Sequence, residues 1–215
     1  MTHNFKSWIL LGLLSISIGS CIPAEPTYVD ELDIVYTNHN QDFDFTGQET
    51  YSLPDKVIKI TTELVGGEPG YEPEFLDPVY STTIINSLRS NMNALGYREV
   101  DKSANPDLIL LPSALQTDQL YIYYDWWYWS WWYPGWGPGW GWYYPGYYPP
   151  QVSRIRTGTV FIQMVNPAGQ SPADKVPVQW SAIVNGLLEG SKDQVATRIT
   201  NGIDQAFSQS PYLAN

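Results

Sequence analysis

The sequence predicts an α+β fold, with about five strands in a mostly antiparallel sheet, two helices packed on one face, and a long Trp/Tyr/Gly/Pro insertion. Three observations lead there. Two segments, near residues 77–95 and 191–207, carry apolar residues three and four apart, so each presents one apolar stripe. Several shorter runs alternate or are continuously apolar, as strands do. The 215 residues are 43% hydrophobic and 15% charged, enough for one core of ordinary size and too little charge for a disordered acidic chain.

Taken in chain order, residues 1–20 read as an export signal. His3 and Lys6 make a weakly basic start, and Trp8 to Ile18 is an apolar run. That run is shorter than the roughly 20 residues a membrane span needs. Ile18-Gly19-Ser20-Cys21 resembles a bacterial lipobox, in which the cysteine becomes the lipidated first residue. Cys21 is the single cysteine, so it forms no internal disulfide, and it reads as an anchor rather than a nucleophile. Several acyl chains such as palmitate, at roughly 0.8 kcal/mol per buried CH₂, would hold the protein stably on a membrane. Residues 21–33, acidic and proline-bearing, suit a tether. A single α+β domain is expected over 34–215.

Within it, Ile34 onward reads as strand. Asp42-Phe-Asp-Phe45 alternates, Thr46-Gly47 gives a turn, and Thr50 to Leu53 and Val57 to Ile60 add two short strands. Residues 61–77 form an acidic Gly/Pro loop. Between Glu25 and Asp77 stand 13 acids against two lysines, so most of the net charge of −11 lies in this third. A solvated face explains it, and no EF-hand spacing is present. Asp77 is placed to cap a helix and Pro78 to open it. Ile84, Ile85, Leu88, Met92 and Leu95 form its stripe, and Gly96 stops it. Pro106 to Leu111 reads as a buried strand, and Arg154–Val165 and Val176–Leu187 as two more. Ser191 to Gln194 is a capping box for a second helix with the stripe Val195, Ile199, Ile203, Phe207.

Residues 121–150 contain eight Trp, nine Tyr, five Gly and five Pro. Gly and Pro at this density oppose a regular helix or central strand. The block is therefore expected to contribute little regular structure and to be replaceable by a short turn. Each aromatic carries about 150–250 Å² of apolar surface, so the block needs a cover. That cover can be its own collapse over the domain, the membrane interface, a protein partner or second copy, or the faces of sugars. Trp126, Trp127, Trp129, Trp131, Trp132, Trp136, Trp140 and Trp142 are the candidate interaction surface.

Charge and motifs exclude other classes. A pI near 4.4 opposes nucleic-acid binding. The glycines at 135, 137, 139 and 141 match neither a dinucleotide fingerprint nor a P-loop. With His3 in the export signal, His39 is the one histidine of the mature chain, expected in a loop or at a strand end. No nucleophile elbow or His-Glu-x-x-His motif is present, so no catalytic residue, metal or cofactor is expected. Asp42 and Asp44 would be the neighbouring carboxylates of a hydrolase, but alternation with Phe43 and Phe45 places them toward water.

Asp42 to Tyr51, Asn93 to Arg98, Ala104 to Leu108, Thr157 to Ile162 and Ile203 to Phe207 together resemble the domain-of-unknown-function family 4136, over roughly Asp42 to Leu213. The chain departs from that pattern in the acidic 61–77 segment and at Trp180-Ser181-Ala182, where Arg-Gly after the Trp is more usual. The resemblance implies a bacterial, Bacteroidetes-type envelope lipoprotein, on the outer membrane facing periplasm or surface, with no established activity and no catalytic residues to carry over. The function expected is a lipid-anchored binding or assembly module acting through its aromatic insertion. A transport-auxiliary or glycan-binding lipoprotein is the alternative, and a hydrolase a distant third.

Overall fold

A computed structural model describes residues 34–61, 73–115, 129, 132–133, 141–148, 158–169, 174–185 and 191–214. The expected export signal, Cys21, the tether, most of the acidic loop, and Trp126, Trp127, Trp131, Trp136 and Trp140 lie outside the described residues.

The strands are β1 (Ile34–His39), β2 (Thr50–Ser52), β3 (Ile58–Ile60), β4 (Arg98–Glu99), β5 (Leu108–Leu115), β6 (Gly141–Tyr143), β7 (Thr159–Val165) and β8 (Lys175–Asn185). The helices are α1 (Pro78–Ala94) and α2 (Lys192–Ser208), with 3₁₀ turns at Lys102–Ala104 and Pro211–Leu213. The strands join in the order β1-β8-β7-β5-β2-β4, with β3 also on β5 and β6 on β8. The α+β class and the two helices are as expected, but the sheet is not: among the described residues it has eight strands and is mixed. β1–β8, β8–β7 and β7–β5 are antiparallel, whereas β2–β4, β2–β5, β3–β5 and β6–β8 are parallel. The parallel strands number two or three residues each beside their longer partners, too few to show a period. A second difference is at Asp42–Phe45, which is a turn rather than a strand. Asp44 accepts hydrogen bonds from the Thr46 N–H and hydroxyl at 3.0 and 2.7 Å, an Asx turn. Phe43 and Phe45 still pack inward.

The helices start and stop where local chemistry dictates. Asp77 accepts from the Val79 N–H at 2.9 Å, and Pro78 opens α1. At its end Gly96 takes φ +98°, which lets the Tyr97 N–H reach the Met92 carbonyl and the Gly96 N–H reach Asn93, a Schellman closure. At the start of α2, Gln194 Oε1 accepts from both the N–H and the hydroxyl of Ser191.

Every residue of β5 and β7, and all of β8 after Lys175, is buried. These strands are covered on both faces. Leu108, Leu110, Ala114, Val160, Ile162, Met164, Trp180 and Val184 meet the stripes of α1 and α2. The alternate residues Ile109, Leu111, Leu115, Phe161, Val165, Val178 and Ile183 form a second core with Ile58, Ile60, Trp129, Trp132, Trp142 and Tyr144. Where β8 changes partner phase, a bulge beside Met164/Val165 lets Val178 face one core and Trp180 the other. The described residues of the aromatic block, with Ile58 and Ile60 of β3, thus form the layer opposite the helices. The expectation that the block contributes little regular structure is corrected for its described part: Trp129, Trp132, Trp142 and Tyr144 are interior, while Tyr143 and Tyr148 are exposed, and the Gly141–Tyr143 stretch pairs with β8.

Candidate functional site

An open cleft of about 460 Å³ lies where β2 and β4 end side by side, lined by Ser52, Leu53, Asp55, Glu99, Val100, Asp101, Lys102 and Trp132. The carboxyl ends of parallel strands are a common place for ligands, since the chain leaves the sheet there in loops free to carry polar groups. The Arg98 N–H bonds the Glu49 carbonyl and the Val100 N–H the Tyr51 carbonyl, which fixes the two strand ends level. Trp132 comes from the aromatic block. Lys102 holds it there: its Nζ donates to the Trp132 carbonyl and lies over the indole, 5.2 Å from the ring centre.

The charges around the cleft are largely committed. Arg89 of α1 grips Glu99 with Nε at 2.6 Å and Nη2 at 3.1 Å. Asp101 accepts from the Ser103 hydroxyl and N–H, and these bonds, the hydroxyl's first, hold its carboxyl below the usual range. It stays an ionised acceptor at neutral pH. Asp55 is exposed at the mouth. Such a set offers carboxylate acceptors, the Lys102 ammonium and an aromatic wall. Among the described residues, no group of three or more His, Cys, Asp or Glu is placed to hold a metal ion, and no helix is long and apolar enough to cross a membrane.

The other residues singled out lie elsewhere. His39 ends β1, at the opposite edge of the sheet from the cleft, stacked on Tyr212 with ring centres 3.5 Å apart. Burial lowers its pKa below 6.5, so near neutral pH it is an uncharged ring packed on another. Asp42 and Asp44 are exposed, and Asp44 shapes its own turn. Of the eight tryptophans, Trp129, Trp132 and Trp142 are described and are 0%, 6% and 3% exposed. Their rings are buried in the second core, with Trp132 at its rim beside the cleft. Among the described residues, the exposed aromatics are tyrosines: Tyr36, Tyr143 and, at 75%, Tyr148. Ser52, Asp55, Asp101 and Lys102 were not legible as a site, because only the parallel pairing of β2 with β4 brings them together.

The comparisons agree with this architecture. The model of the family described as "Domain of unknown function (DUF4136)" matches residues 35–212. No curated protein matches the chain. A crystal structure of a DUF4136 family protein from Bacteroides thetaiotaomicron is 30% identical, with 85% of this chain and 97% of that one covered and a TM-score of 0.62. A PelC dodecamer from Paraburkholderia phytofirmans is 11% identical, covering 85% of this chain and 98% of its own, at a TM-score of 0.37. A PDZ domain protein from Parabacteroides distasonis is 14% identical, covering 80% and 36%, at 0.38. The last two are too distant to carry any inference. With a family model spanning most of its length and a 30%-identical relative covered almost end to end, the chain belongs to the DUF4136 family.

Proposed function

We propose that this protein is a lipid-anchored module of the bacterial cell envelope, held by Cys21 on the outer membrane, that binds a partner without catalysing a reaction. The observation that carries the binding role is the cleft at the ends of β2 and β4, where Lys102 draws Trp132 of the insertion against a polar rim. The insertion's role is then to complete that wall and to cover the sheet. The committed carboxylates support binding over hydrolysis, since Glu99 serves an ion pair and Asp101 a turn. The signal-like run before Cys21 supports the anchor.

Envelope crosslinking read by mass spectrometry tests the two parts separately. Asp55→Asn with Asp101→Asn is expected to lose a partner that the parent chain crosslinks, while staying in the detergent phase. Cys21→Ser is expected to leave the detergent phase and to remain unprocessed or released. An unchanged crosslink set in the double variant would refute the cleft's role, and a processed, detergent-phase Cys21→Ser protein would refute the anchor.

A further inference from the structure

β1 is an edge of the sheet, and its outer side is open. Among the described residues the strand pairs with β8 alone, from Ile34 opposite Asn185 to His39 opposite Trp180. Just beyond it the Asn40 N–H donates to the Gln179 carbonyl at 2.8 Å. By alternation, Asn38, Tyr36 and Ile34 also turn their backbone groups to β8. Val35, Thr37 and His39 therefore turn theirs outward. The His39 N–H donates to Asn38 Oδ1 at 3.0 Å rather than to β8, which agrees with that phase. Among the described residues, the outward N–H and C=O groups of Val35 and Thr37 have no partner.

Edge strands usually carry a guard against pairing: a charge, a proline, a bulge or very few residues. The opposite edge has two of these, since β4 is two residues long and consists of Arg98 and Glu99. β1 has none. Ile-Val-Tyr-Thr-Asn-His is six residues, without a bulge against β8 and without Lys, Arg, carboxylate or proline. It is a neutral seam on a chain of net charge −11, the kind of place at which two like-charged copies can meet. The open groups are also self-complementary. A two-fold axis through Tyr36 sets Val35 opposite the partner's Thr37, and Thr37 opposite the partner's Val35. Every open group of the two residues is then used on both strands. Tyr36 meets its twin on the axis as a non-hydrogen-bonded pair, the closest side-chain approach in an antiparallel ladder. Val35 packs toward the helices, so Tyr36 faces the other way, 38% exposed, and its twin covers it.

We propose that two copies of this chain pair through β1, antiparallel about Tyr36, and continue the sheet across a two-fold axis. In this register Ile34 lies opposite the partner's Asn38, so the two Ile34 residues are roughly 13 Å apart along the seam. Cys21 stands thirteen residues before Ile34 in each chain, a reach that lets both anchors enter one membrane. The seam stands on β1 itself. The lipid anchor of the proposed function adds confinement to a surface, which raises the effective concentration of one copy for the other. An extended segment of another protein could use the same groups, but it would gain neither the axis nor the Tyr36 pair.

The test is disulfide trapping in envelope membranes from cells expressing the full chain, oxidised with copper-phenanthroline and read on non-reducing gels. Lipidation leaves Cys21 without a thiol, so the parent is expected to give no linked species. Linking of the parent would refute the anchor rather than the seam, which is then read with Cys21→Ser added. Tyr36→Cys is expected to link at twice the mass of the chain, because the Cα atoms of such a pair lie about 4.5 Å apart, within disulfide range. Tyr148→Cys is the control. Its side chain is more exposed, at 75%, but its carbonyl is held by Asn38. The two copies of Asn38 stand roughly 13 Å apart, so little linking is expected there. Thr37→Pro removes an N–H that faces away from β8, so the fold is kept while two seam bonds are lost. Added to Tyr36→Cys, it should lower the linked fraction about tenfold with protease resistance unchanged. No linking at Tyr36→Cys, a linked species of another mass, or equal linking at Tyr148→Cys overturns the proposal. So does unchanged linking in a protease-resistant Thr37→Pro chain; if that chain fails to fold, the comparison of positions 36 and 148 decides alone.

Discussion

Truncating Trp129 to Ala probes whether the aromatic block is interior or ornamental. Its ring is 0% exposed and packs in the core formed with β3, β5, β7 and β8. A buried aromatic removes about 150–250 Å² from water. At about 25 cal/mol per Å² this gives an upper bound of roughly 4–6 kcal/mol. Measured Trp-to-Ala substitutions in cores cost about 3–5 kcal/mol once partial collapse of the cavity is included. Against a typical total of about 5–15 kcal/mol the loss is large. At about 2–4 °C per kcal/mol for a chain of this size, the midpoint should fall by roughly 6–20 °C. Trp142→Ala, on β6, is expected to behave alike. Trp132→Ala adds the loss of the Lys102 ammonium over its ring. The assay is urea unfolding followed by far-ultraviolet circular dichroism, with the slope checked for two-state behaviour before stabilities are compared. A change under about 0.5 kcal/mol in all three variants, the range of an unremarkable surface substitution, would refute the second core.

On the other face, Leu88→Ala and Ile203→Ala should each cost about 2–5 kcal/mol, since both side chains are fully buried between the helices and the sheet; thermal midpoints that hardly move would refute the packing of α1 and α2. Asp107 gives a pH dependence. Its carboxylate accepts from the Thr50 hydroxyl at 2.7 Å, the Thr50 N–H at 2.9 Å and the Glu49 N–H at 3.1 Å, closing the start of β2 against β5. Burial pushes its pKa up, but these bonds together with Arg98 outweigh it, so the folded value lies below the usual 3.8. A depressed carboxyl stabilises the fold above the unfolded pKa, and that contribution is lost as pH falls through the folded one. Asp107→Ala is therefore expected to cost about 1–2 kcal/mol at pH 7, as the loss of a capping carboxylate does. The difference from the parent should shrink as the pH falls below about 4. A gap that stays constant from pH 7 to pH 3 would show that the ionised form is not what matters.

The helices and the three long strands were determined by the sequence alone, because their signals are local. Asp77 with Pro78, Gly96, and Ser191 with Gln194 satisfy backbone groups within a turn of themselves, and the stripes from Ile84 to Met92 and Val195 to Phe207 need only a partner surface of any kind. The inward set of Phe43 and Phe45 was also readable, though not that a turn rather than a strand would present it. What the tertiary structure decided is whatever depends on a neighbour distant in the chain. β2 and β3 were readable as short strands at Thr50–Leu53 and Val57–Ile60, but β4 and β6 are strands only because β2 and β8 supply the hydrogen bonds, and the parallel sense of all four follows from the α1 crossover and from the return of the insertion. β5, with every residue buried, and β7, apolar but for Gln163 and Thr159, required a second cover on the face away from the helices. Only the fold shows that Trp129, Trp132 and Trp142 of the insertion help to provide it. The cleft and the open edge of β1 belong to the same class. Ile34 onward reads as strand from its own residues. Which of its backbone groups turn to β8, and which are left outward at the sheet edge, exists only once the register is set.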